Sequence, residues 1–273
     1  MSSLKMTQPT TTGLLTPKGL IDSLGLQRVL AIGAHPDDMD FGAAATLAGL
    51  TAGGVHVTLA LLTAGDAGGF DTERDPEETA RLRHVEQQEA AEVLGIDDVV
   101  LLGEKDGFVE PSYELIGKIV KLMRQTRPDA VVSMHPERAW DRLQKSHPDH
   151  LACGEAVVRA SYPAVENPFA YSELHAAGLE AFKIKHLLLA GAPQHLVTTR
   201  VDVTETAEKK IQALRRHFSQ MRDPQKMEQY VLEQMRGIYA AGLADASATT
   251  APSGYAEEFH HVVVNDPATI SGF

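Results

Sequence analysis

The chain has 273 residues, 43% of them apolar and 23% charged, with 12 histidines and one cysteine, Cys153. A chain of this make-up buries a sizeable core, which excludes disordered, collagen-like and disulfide-stapled architectures. Its formal charge of −12 opposes phosphate backbones and anionic membranes. No basic patch overrides that charge. The densest run, Lys209, Lys210, Arg215 and Arg216, reads as the solvated face of a helix.

In chain order, residues 1–27 read as a polar leader, with no apolar run of signal-peptide length. Arg28–Ala34 is a short apolar run ending in small residues, the pattern of a buried strand. The loop His35-Pro-Asp-Asp38 follows. Phe41–Thr51 has helical spacing and stops at Gly53-Gly54, and Val55–Leu62 reads as a second strand, completing a βαβ unit with parallel strands. Open α/β sheets bind ligands at the carboxyl ends of their strands, where the 35–38 loop falls.

A glycine-containing loop, Thr63–Asp75, leads to a charged helix over Pro76–Leu94 that closes at Gly95. The alternation continues with a strand at Val99–Leu102, a helix at Pro111–Arg124 and a strand at Ala130–Met134. The loop His135–Ser146 then enters His147-Pro-Asp-His150, which opens a helix running to Ala160. Later strands fall at Lys185–Ala190 and Leu196–Val203, with helices at Thr206–Met221 and Pro224–Tyr239. From Ala241 onward the chain reads as irregular. The domain reading is one α/β domain over 28–264 with a mostly parallel sheet, and a tail over 265–273. A lone cysteine and the lack of any stretch of ~20 apolar residues lead to the expectation of a cytoplasmic protein with no membrane span and no nucleic-acid partner. Room for a homo-oligomer remains.

The chemistry concentrates in the two His-Pro-Asp segments. His35 and Asp38, three positions apart on a tight loop, supply a nitrogen and a carboxylate oxygen, a donor pair suited to Zn²⁺ or Fe²⁺. The leading third ligand is His150, at the carboxyl end of another strand. Two histidines and one carboxylate leave a position open, as catalytic rather than structural metal sites do. Asp37, beside a ligand, is placed to take a proton from a water activated by the ion. His147 is placed to stabilise an oxyanion or to act as acid to the leaving group. Against this stands the reading of each His-Pro-Asp as a simple Asx-type turn. Among the other histidines, His56 reads as packed within a strand, and His84, His186, His260 and His261 as surface or satisfied polar positions. Cys153 reads as core, because nothing near it in sequence supplies a base.

The segments Ala34-His-Pro-Asp-Asp-Met-Asp-Phe-Gly42 and His147-Pro-Asp-His150 resemble the PIG-L (LmbE-like) family of metal-dependent de-N-acetylases. Arg83-x-x-Glu86, Asp106-Gly107, and Lys210 through His217-Phe-Ser-Gln220 match the family in the same order. The resemblance implies a Rossmann-like three-layer α/β/α domain and one zinc held by His35, Asp38 and His150. It also implies Asp37 as general base, His147 as second catalytic histidine, and Arg83 and Asp106 as substrate contacts. The implied reaction removes an N-acetyl group from a small amino-sugar-like substrate. Two departures, Asp40 where the family commonly has Glu and an unusual 136–146 loop, leave the scaffold of the substrate open. The alternatives are an amidase acting on a thiol conjugate or other non-sugar amide, and a non-catalytic carbohydrate-binding member of the fold.

Overall fold

A computed structural model describes residues 13–71, 73–140, 143, 146–243 and 253–265. Its elements in chain order are β1 (Leu14–Leu15), α1 (Pro17–Leu24), β2 (Arg28–Gly33), α2 (Asp38–Ala52), β3 (His56–Thr63), α3 (Pro76–Leu94), β4 (Asp98–Glu104) and α4 (Tyr113–Thr126). There follow β5 (Ala130–Met134), α5 (Pro148–Arg159), α6 (Ser172–Ala176), β6 (His186–Ala190), β7 (Thr199–Asp202), α7 (Ala207–Leu214), α8 (Pro224–Leu243) and β8 (Ala256–Val263).

One eight-stranded sheet has the order β1-β7-β8-β6-β5-β2-β3-β4. All pairings are parallel except those of β8, which runs antiparallel to both β6 and β7. The inner strands are buried along nearly their whole length because helices cover both faces, so their sequences are continuous apolar runs rather than alternations. From β2 the chain moves outward through β3 to β4, then returns to the other side of β2 at β5 and continues to β6. Right-handed crossovers in opposite directions put α2 and α3 on one face and α4 and α5 on the other. The reversal opens a crevice between the carboxyl ends of β2 and β5, the place where such sheets bind ligands. The loops that carry the two His-Pro-Asp segments flank it.

Two glycines set how closely these loops approach. A Cβ on Gly33, at the end of β2, would stand 3.1 Å from Cβ of Asp38. One on Gly154 would stand 2.6 Å from the carbonyl oxygen of Met134, so α5 lies directly against the end of β5. Helix α2 is buried almost all round, and its run of alanines lets α7 and the sheet close on it.

Several expectations are corrected. The irregular tail contains β8, an antiparallel strand between β6 and β7, and within the segment read as leader Leu14–Leu15 pairs with β7 and α1 packs on α2. The helix expected over Thr206–Met221 ends at Leu214 and is followed by a 3-10 turn at Phe218–Gln220. Lys210 is no solvated cation: it is buried and ion-paired with Glu257 at 2.7 Å. His56, read as packed, lies at the exposed start of β3 beside Asp98. Cys153 is fully buried, as expected of a core residue. Residues 1–12 of the leader, 266–273 of the tail, 244–252, and 141, 142, 144 and 145 of the second loop lie outside the described residues. Among the described residues no helix is long and apolar enough to cross a membrane.

Candidate metal and catalytic site

The first loop is shaped by Asp38, the first residue of α2. Its Oδ2 accepts hydrogen bonds from the backbone N–H groups of Ala34 and His35, both at 2.8 Å, which closes the loop back on β2. The other oxygen, Oδ1, is left to face Nε2 of His150 at 2.9 Å. From the opposite side of the crevice, Pro148 starts α5, and His147 caps it by accepting the Asp149 N–H at Nδ1, 3.2 Å away. A neutral His147 therefore carries its proton on Nε2, facing away from the helix.

The imidazoles of His35, His147 and His150 converge, with ring centroids 5.1–5.3 Å apart. One nitrogen from each falls within 4.8 Å of the others. Carboxylates surround them. Nε2 of His35 lies 3.1 Å from both Asp106 and Asp149, while its Nδ1 faces Asp38 at 3.5 Å. Burial alone would lower the His35 pKa, but the carboxylates of Asp106 and Asp38 reverse this and hold it up to about 11. Burial would likewise raise Asp38, yet His150 and His35 hold its carboxyl well below the usual range. Buried negative charge in this excess calls for a cation, and without one the proton on His35 takes that place. Imidazole nitrogen with carboxylate oxygen is the donor chemistry of Zn²⁺ or Fe²⁺, so the residues fit such an ion.

Asp37 sits on the rim of this cluster in a left-handed conformation, φ 91°, unusual for a residue other than glycine. Helix α3 holds it there. Gln87 Oε1 accepts the Asp37 N–H at 2.9 Å, and Arg83 donates to the Pro36 carbonyl at 2.6 Å and faces the Asp37 carboxylate at 3.4 Å. Desolvation raises the Asp37 pKa to about 6, against the lowering effect of Arg83. His147 is shifted down, first by burial and then by His35 and His150.

Arg83 and Asp106 are both buried rather than forming a surface pair, and both engage the first loop and the loop after β3. Besides Pro36, Arg83 donates to the carbonyl of Gly65, and Asp106 accepts the Ala67 N–H while contacting His35. A Cβ on Gly65, at φ 70°, would collide with the guanidinium at 2.3 Å, so the loop after β3 lies directly on Arg83.

Further groups brace the site beyond the seven residues expected in it. Asp149 is 1% exposed, contacts His35, and accepts the N–H groups of Gly107 and Val109, tying the β4 loop to the site. Gln87 also donates to Asp40, which faces His217 at 3.2 Å, and Glu86 accepts both the N–H and the hydroxyl of Ser219. Through these contacts α3 and the 217–220 segment brace the first loop. Asp149 was legible, since it repeats the His-Pro-Asp pattern of the first loop. Glu257, the buried partner of Lys210, had no sequence signal.

The cluster forms one end of a cleft of about 710 Å³ that also contains Arg83 and Asp106 and extends towards α8. Thus all seven residues singled out by sequence lie on this one cleft.

The sequence profile described as "PIG-L: GlcNAc-PI de-N-acetylase" matches residues 30–161, the stretch containing both His-Pro-Asp segments. A diacetylchitobiose deacetylase of Thermococcus kodakarensis is 32% identical over 196 residues, 71% of this chain and 70% of that protein. A probable N-acetyl-alpha-D-glucosaminyl L-malate deacetylase 2 of Bacillus anthracis is 31% identical over 201 residues, 71% of this chain and 81% of that protein. The solved N,N'-diacetylchitobiose deacetylase of Pyrococcus horikoshii superposes with a TM-score of 0.77 at 26% identity, covering 90% of this chain and 91% of that one. The fold agrees with that of a solved relative named as a deacetylase, the family match spans both His-Pro-Asp segments, and the chain belongs to the PIG-L family.

Proposed function

We propose that this chain is a metal-dependent de-N-acetylase that hydrolyses the N-acetyl amide of a small amino-sugar-like substrate to a free amine and acetate. The observation that carries this reading is the meeting of His35, Asp38, His147 and His150 with Asp37 beside them at one end of a cleft. His35, Asp38 and His150 would hold the ion, with zinc the expected occupant and Fe²⁺ an acceptable one. When bound, such an ion supplies a Lewis acid that polarises the acyl carbonyl and acidifies water. His35 faces Asp38 with Nδ1 while Asp149 and Asp106 engage Nε2, an arrangement that fixes ring orientation and raises basicity.

Asp37 takes a proton from the attacking water. Its pKa near 6 keeps it ionised at neutral pH yet basic enough for that task. The water oxygen bonds to the acyl carbon, and the oxyanion accepts a hydrogen bond from Nε2–H of His147. As the C–N bond breaks, the proton held by Asp37 passes to the leaving nitrogen. Arg83 keeps Asp37 aimed, and Arg83 and Asp106 line the space where the sugar sits. The test is amine release from N-acetylglucosamine conjugates by the purified protein, with and without added zinc. Turnover that requires the ion and is lost in Asp37→Asn supports the reading; no amine release from any N-acetylated sugar overturns it.

A further inference from the structure

Asp37 stands in a backbone conformation, φ 91°, that an aspartate left to itself rarely adopts, and its carboxylate goes where that backbone aims it. Helix α3 holds the Pro36–Asp37 peptide at both ends. Arg83 donates to its carbonyl at 2.6 Å, and Gln87 Oε1 accepts its N–H at 2.9 Å. A glutamine amide carries an acceptor on one side and donors on the other, so the second bond lasts only while Gln87 points its oxygen at the loop. Reversed, Gln87 would set its NH₂ group against the Asp37 N–H.

The direction of the amide is decided on its far side. Gln87 Nε2 donates to Asp40 Oδ2 at 2.8 Å, and a carboxylate only accepts. The same oxygen faces His217 Nε2 at 3.2 Å, while Asp40 Oδ1 has no hydrogen-bond partner among the described residues. Both donors thus meet on one atom and fix it between them. Gln87 and His217 are 0% exposed and Asp40 is 1% exposed, so solvent does not stand in for a lost donor. His217 reaches this point from the turn after α7, which Glu86 anchors by accepting the N–H and the hydroxyl of Ser219, both at 2.7 Å. Arg83, Glu86 and Gln87 lie at i, i+3 and i+4, so one face of α3 grips both Asp37 and the turn that carries His217.

We propose that His217 is a positioning residue for Asp37: it fixes the Asp40 carboxylate, Asp40 sets the direction of the Gln87 amide, and the amide oxygen holds Asp37 in its left-handed conformation. This rests on the reading of Asp37 as the base and adds a residue 180 positions away that keeps the base aimed without touching substrate. A histidine that merely filled space beside α3 would be replaced by any side chain of similar size. A relay needs its donor.

Hydrogen exchange of the Asp37 amide, followed by NMR in the zinc-loaded full-length protein, reads the last link without any turnover. His217→Gln keeps an N–H donor at about the reach of Nε2, and His217→Met has similar length without one. In His217→Met the Asp37 amide should exchange about tenfold faster than in wild type or more, while the Leu59 amide in β3 is unchanged. Amine release should fall about 10–10²-fold in kcat, the scale of a displaced catalytic group, with KM and zinc content held. His217→Gln should bring both back to within about threefold of wild type, since it restores the donor. Wild-type exchange in His217→Met overturns the relay, and so does exchange in His217→Gln as fast as in His217→Met. Should His217→Met not fold, His217→Asn, with its amide one methylene further from Asp40 than that of Gln, is read in its place. Failure of the underlying reading looks different: faster exchange with unchanged kcat overturns Asp37 as the base and leaves the hydrogen-bonded relay standing.

Discussion

Three buried histidines in this protein have nearly the same exposure, His35 at 9% and His135 and His261 at 5% each, yet opposite electrostatic settings. His35 is held up to about 11, whereas His135 and His261 are pushed down to about 4, first by burial and then by other imidazoles. His135 faces His260 at 3.0 Å and His261 faces His186 at 3.1 Å, pairs in which a neutral ring donates to a neutral ring. His35 instead faces Asp38, Asp106 and Asp149. Burial alone therefore makes a histidine neutral, and it takes converging carboxylates to turn a histidine cluster into a cation site. Among the described residues, both groupings tight enough to hold an ion, His35 with His147 and His150 and His35 with Asp106 and Asp149, include His35.

The comparison breaks most completely if the carboxylate at its centre is removed. Asp38→Ala and His150→Ala should each drop bound zinc from near one per chain to well below it by elemental analysis, with activity falling at least as far as in the base variant. Metal content equal to wild type would remove both residues from the ligand set. Asp37→Asn should keep its metal and lose about 10²–10⁴ in kcat, the scale of general-base removal. Its loss should also erase an acid limb centred at or below about 6, because protonation of the Asp37 carboxyl is what removes the base there. His147→Ala should keep its metal and lose about 10²–10³ in rate, the scale for one oxyanion donor.

Smaller effects sharpen the contrast. Asp149→Asn leaves the ligands in place but removes the charge behind His35, and should weaken zinc affinity about 10–100-fold in a chelator competition. His135 supplies the opposite case. Its folded pKa lies below its ordinary value of 6.5, so the unfolded chain binds more protons between about 4 and 6.5. The stability that follows is fully present above 6.5 and is lost as pH falls through about 4, an effect of order 2 kcal/mol. In His135→Asn the difference in denaturant midpoint between pH 7.5 and pH 5 should shrink. A His35 variant should not show that acid-side change, because a pKa held above 6.5 places its linkage on the alkaline side.

The alternation of apolar runs and helical spacings made the α/β class and the parallel strands β2 to β6 legible, because strands buried on both faces announce themselves as unbroken apolar segments. The two His-Pro-Asp segments were equally legible, since a loop must place its reactive groups within a few residues of one another. β8 was missed because it follows an Ala-, Ser- and Thr-rich stretch, and the polar pairs Glu257-Glu258 and His260-His261 do not look like an interior strand. Its burial comes from β6 and β7 on either side. Lys210 shows the same limit: a lysine on a helix reads as solvated until a carboxylate about fifty positions later is folded against it.

Residue order alone supplies the groups for the chemistry, His35, Asp37, Asp38, His147 and His150, and places them in two short segments between a strand and the helix that follows it. Only the tertiary structure decided their electrostatic state, because that depends on Asp106 and Asp149 arriving from separate loops and on α3 bracing Asp37 through Arg83 and Gln87. It likewise decided that the cleft runs on from the His/Asp cluster to α8. Charge and solvation are set by what lies within a few ångströms in space, and sequence order records that distance only for near neighbours along the chain.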